Sequence, residues 1–84
     1  MTKIEKLDLI NSIKVLDFGI SGEEVEYISV EDSKENRFIL RMIGMTDKKI
    51  EEECFPNEGC LDLVNVGFGH SDTWSEDKGF YIEY

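Results

Sequence analysis

The chain has 84 residues and a net charge of −10, with 40% hydrophobic and 33% charged residues. That length suits one modest core and a single domain over residues 1–84, and nine aromatics argue against a disordered chain. So acidic a surface disfavours direct binding of nucleic acid or anionic lipid.

The placement of the charge is uneven. Residues 1–49 carry ten acids and eight bases, whereas residues 50–84 carry nine acids and one base, Lys78. Six of the nine aromatics fall in that second stretch: Phe55, Phe68, Trp74, Phe80, Tyr81 and Tyr84. The start, MTKIEKLDLI, alternates in charge where a secretory signal needs an unbroken apolar run, and no window reaches the length of a membrane helix. The expectation is a cytoplasmic protein whose Cys54 and Cys60 are reduced thiols.

In chain order, residues 3–11 predict a short helix, with Thr2 as cap and Glu5 completing a capping box. The competing pattern is a pair of strands turning at Asn11-Ser12. Residues 13–18 predict a strand, and Gly19 to Gly22 a connection. Residues 23–30, EEVEYISV, alternate as a strand, and Glu31 to Asn36 form a polar turn. Residues 37–43, RFILRMI, then predict a second strand, apolar on both faces and so central, paired to 23–30 as an antiparallel hairpin. Arg37 and Arg41 would lie on one face of it and pair with Glu24 and Glu26.

Thr46 caps a short helix over TDKKIEEEC, whose apolar stripe is Ile50, Cys54 and Phe55. Its charge order is poor, because Glu51 to Glu53 lie at the negative end; an extended acidic edge is the alternative. Phe55 to Gly59 form a tight turn around Pro56. Residues 60–66 predict a strand that leaves through Gly67-Phe68-Gly69-His70. Ser71 to Lys78 make a polar loop broken by Trp74, and residues 79–84 a final strand. The fold class expected is α+β: one antiparallel sheet of four or five strands with one or two short helices. A small all-β barrel is second.

Cys54, Cys60 and His70, with Asp72 nearby, are residue types that bind zinc, but the spacing lacks a paired knuckle. No cofactor, metal site or catalytic residue is therefore assigned, and the chain is read as a non-enzyme. GFGH lacks the third glycine and following helix of a dinucleotide site, and reads as a bend. The residues that stand out are acids around an aromatic. Glu51, Glu52, Glu53, Asp72, Trp74, Glu76 and Asp77 form a candidate partner-binding face, with Trp74 either its anchor or part of the core.

Size and composition resemble, as a class, those of small phage-encoded or mobile-element inhibitors and bacterial immunity proteins; no motif carries the likeness. The expectation is a small acidic protein docking on a basic surface of a partner, itself a nucleic-acid-binding or defence protein. The alternatives are a homo-oligomer that holds a small ligand or acts as a scaffold, and a Cys/His metal-binding domain.

Overall fold

The computed structural model describes residues 2–66 and 74–81. The elements run α1 (Lys3–Asn11), β1 (Val15–Ser21), β2 (Glu24–Glu31), α2 (Lys34–Met42), α3 (Asp47–Glu53), β3 (Cys60–Asp62), β4 (Trp74–Ser75) and β5 (Gly79–Phe80). The class is α+β. Among the described residues the strands form two antiparallel sheets, one ordered β1-β2-β3 and one of β4 and β5, where a single sheet of four or five strands is expected. Among the described residues there are three helices, where one or two are expected.

The capping box at α1 is present: Glu5 N–H donates to Thr2 Oγ1 at 3.1 Å, and Thr2 N–H donates to Glu5 Oε1 at 3.0 Å. The hydrogen bonds that Thr2 gives the Glu5 carboxylate favour its charged form and hold the Glu5 pKa below its ordinary value. At the other end, Ser12 caps the helix and the chain turns directly into β1.

The expected strand over 37–43 is overturned, and with it the hairpin to 23–30. These residues belong to α2. Ser33 caps that helix by accepting from Asn36 N–H at 3.1 Å, Glu35 sits in the first turn and Arg41 in the last, all favourable to a helix. Helical spacing also sorts the apolar residues correctly. Leu40 is fully buried, Ile39 and Ile43 pack beside it, and Phe38 is 64% exposed. A strand would have put Phe38 and Leu40 on one face.

The hairpin the chain does form joins β1 to β2. Its loop is Gly22-Glu23, and Gly22 has φ 65°, as the primed two-residue turns require. The segment expected as a connection, Gly19 to Gly22, is therefore mostly strand. Two register shifts interrupt the pairing. On β1, Leu16 is the extra residue between the Val15–Val30 and Asp17–Ser29 pairs. On β2, Glu26 is the extra residue between Gly19–Tyr27 and Ile20–Val25. The second shift turns Val25 toward the core, where simple alternation puts it with Tyr27 and Ser29.

β3 pairs with β2 through Ser29–Asp62, Val30–Leu61 and Glu31–Cys60, so β2 is the central strand. β3 is shorter than the expected 60–66. Its end is held by Asp62, whose Oδ1 accepts from Ile28 N–H at 3.0 Å and Val64 N–H at 2.9 Å. That carboxylate takes over from the backbone ladder and bends the chain away. The final strand expected over 79–84 is seen as Gly79–Phe80, and residues 82–84 lie outside the described residues.

The core gathers Ile10 from α1 and Ile13 just after it, Ile28 and Val30 from β2, Leu40 from α2, Ile50 from α3 and Cys54 at its C-cap. Leu61, Leu63, Val66, Trp74 and Phe80 complete it. The helices thus cover one face of the sheet, and Tyr27 and Ser29 lie on the other. Arg37 ties the helical layer together. Its Nε and Nη2 donate to Asp32 at 2.6 and 2.9 Å, and its Nη1 to Glu51 at 3.2 Å. The expected pairing with Glu24 and Glu26 does not occur: Arg41 instead faces Asp47 at 3.8 Å. Among the described residues no helix is long and apolar enough to cross a membrane.

Candidate functional site

Two regions carry the residues singled out by sequence. The first is the C-terminal end of α3. Thr46 caps the start of this helix, accepting from Lys49 N–H at 3.2 Å, and Asp47 lies in the first turn. Ile50 and Cys54 are both fully buried and pin one face of the helix to the core. Glu51, Glu52 and Glu53 point outward and are exposed. No basic residue occupies the last turn, so three carboxylates sit where the helix carbonyls already concentrate negative charge. Glu51 is partly neutralised by Arg37, and Glu52 faces Lys48 at 4.0 Å.

Phe55 follows directly. Sequence spacing places it on the buried stripe with Ile50 and Cys54, and the structure instead leaves it 58% exposed. The cause is its backbone. Phe55 has φ 44°, the left-handed conformation that commonly ends a helix and that glycine usually supplies. The turn swings the ring outward, and Pro56 follows. A bulky residue in this region is an outlier that costs of order 1 kcal/mol. Phe55 thus joins the candidate surface although sequence spacing assigns it to the core. The sequence signal for its exposure is a phenylalanine at the position after a helix C-cap, where glycine is the rule.

The second region is the β4–β5 hairpin. Its loop, Glu76-Asp77-Lys78, closes on Gly79 at φ 68°, with Lys78 N–H donating to Ser75 Oγ at 3.1 Å. Glu76 and Asp77 are exposed there. Trp74 is 8% exposed, and its ring packs against Phe18 with centroids 5.1 Å apart and planes tilted by 54°. It belongs to the core. Asp72 and His70 lie outside the described residues.

Of the described residues singled out by sequence, Glu51 to Glu53 lie on α3 and Trp74, Glu76 and Asp77 on the hairpin. α3 packs on α2, and the hairpin packs on the end of α1 through β5. Between that hairpin, α1 and β1 lies a cavity of about 290 Å³, floored by Ile10, Ile13, Leu63 and Phe80 and walled by Phe18 and Trp74.

Both cysteines are free. Cys54 is fully buried, and burial, with the Asp62 and Glu53 carboxylates adding to it, pushes its thiol up to about 11. Such a thiol is a core residue and a poor nucleophile. No group of three or more His, Cys, Asp or Glu side chains among the described residues has the arrangement of a metal site.

The chain matches no family model, no curated protein and no solved structure.

Proposed function

We propose that this protein is a small acidic binding protein that docks on a basic surface of a partner, in the manner of an inhibitor or immunity protein, and that it performs no catalysis. The observation that carries this reading is the end of α3. Exposed Glu51, Glu52 and Glu53 are stacked at the negative pole of a helix, next to an exposed phenylalanine held in a strained conformation. Glu52 and Glu53 at that pole and the strained Phe55 cost stability, and none of them serves the core. Local choices that work against the fold are the ones to suspect of serving recognition. The pairing also suits docking, because carboxylates steer a basic partner in and an aromatic ring gives it an apolar contact to bury. The net charge of −10 adds long-range attraction.

Capture from a lysate of the source cells, with wild type and two variants side by side, tests this. The variants are Glu52→Lys with Glu53→Lys, and Phe55→Ala. The expected result is a basic partner retained at low salt, released at high salt, and lost in both variants. Thermal unfolding controls for folding, because lysines at this helix end should raise stability by about 0.3–1 kcal/mol. A partner that binds all three proteins alike, or is indifferent to salt, would overturn the reading.

A further inference from the structure

We infer that the cavity between α1, β1 and the β4–β5 hairpin is a binding site for an arginine side chain presented by a peptide or protein. The cavity is separate from α3, and the inference stands apart from the reading of that helix. Its volume, about 290 Å³, is near the lower limit for sites that take small molecules, and it suits one side chain.

Ile10, Ile13, Val15, Leu63 and Phe80 give the cavity apolar lining, beside the Asn11 amide, which is paired with the Phe80 backbone. The Phe18–Trp74 pair supplies aromatic surface at the wall. Among the described residues, the charged groups that line it are Asp17 and Glu76, both carboxylates and both exposed. A ligand that fits must therefore carry an apolar stem and a cationic head. Arginine suits this better than lysine, because its planar guanidinium stacks on aromatic rings while donating to carboxylates in its plane.

The Asp17 carboxylate, on a residue that lines the cavity, is held in place by two hydrogen bonds. Its Oδ1 accepts from Phe18 N–H at 2.9 Å and its Oδ2 from the Tyr27 hydroxyl at 3.1 Å. Each oxygen has a second lone pair, so the carboxylate is oriented without being used up. The neighbouring cation of the hairpin, Lys78, has its Nζ over the Tyr81 ring at 5.5 Å.

The test is titration of the full chain with acetyl-Gly-Arg-Gly-amide, followed by the fluorescence and indole N–H resonance of Trp74, the one tryptophan. Saturable shifts are expected, with a Kd on the order of 1 mM. The citrulline peptide, which keeps the shape and loses the charge, should bind about tenfold more weakly. Asp17→Asn and Glu76→Gln should each weaken the arginine peptide, and Glu52→Gln on α3 should leave it unchanged. Near-isosteric variants keep the fold, which the amide spectrum checks. The inference falls if Trp74 shows no saturable response, if citrulline binds equally, or if free agmatine binds better than the peptide. A salt-sensitive basic partner found for α3 alongside a silent Trp74 would sink this site and leave the α3 reading standing.

Discussion

Asn11 and Phe80 exchange two hydrogen bonds across the molecule. Asn11 Nδ2 donates to the Phe80 carbonyl at 2.9 Å, and Phe80 N–H donates to Asn11 Oδ1 at 2.8 Å. The side-chain amide of a helix-end residue thus acts as one rung of a β-ladder and docks β5 onto α1. The same contact explains Gly79. A Cβ there would come within 2.7 Å of Asn11 Oδ1, and φ 68° already favours glycine. Asn11→Ala should leave both Phe80 backbone groups without this partner and destabilise by roughly 1–3 kcal/mol. Hydrogen exchange at the Phe80 amide should accelerate more than at Ile28. Equal change at both would mean the bond pair does not hold the hairpin.

A second relationship governs β1. Gly19 pairs with Tyr27, and a Cβ on Gly19 would overlap the Tyr27 ring. Tyrosine lying across a glycine covers strand backbone that glycine leaves bare. Gly19→Ala should therefore destabilise by about 1–3 kcal/mol through overpacking. In a Tyr27→Ser background the same substitution should cost much less. Additive effects in the double-mutant cycle would refute the contact.

The Asp32–Arg37 pair sets an acid limit on stability. The guanidinium beside Asp32 holds its carboxyl below the ordinary value of 3.8. A depressed folded pKa means stability that is present above that value and is lost as pH falls through the lower folded one. Asp32→Asn should cost about 1 kcal/mol at neutral pH, since the pair is bidentate but partly exposed. Denaturant curves for the two proteins should converge as pH drops below 3.8. A constant gap at every pH would show that the charge is not what the pair contributes.

Cys54 offers a simple check on the core. With its thiol fully buried and raised to about 11, it should resist iodoacetamide at pH near 8 in the folded protein and react once the chain is unfolded. Alkylation of Cys54 at the unfolded rate under native conditions would contradict its place beneath α3.

What is legible in the sequence follows the range of the interactions. α1 and α3 are legible because Thr2 with Glu5, and Thr46 with Asp47, act within a turn of the chain. RFILRMI is not, since its apolar run fits period two as well as 3.6. Ser33, inside a segment that looks like a polar turn, is the local sign that decides for helix. Gly19 hides the true length of β1, because the tyrosine that supports it sits on another strand. The acids of α3 stand out from composition alone; Phe55 does not, because its exposure depends on one dihedral angle. The cavity leaves no trace in the sequence. It is assembled from residues 10–18, Leu63 and 74–80, and no local pattern records that they meet.

The bulge at Leu16 has one more consequence. Among the described residues β1 lies at the edge of its sheet, with one side unpaired. A strand from another molecule could extend a regular edge indefinitely, which is how fibrils grow. Here the extra residue breaks the repeat just after Val15, near the start of the strand. An incoming strand that matched the segment after the break would be out of phase before it. The bulge thus makes the free edge of β1 a poor template for pairing between molecules.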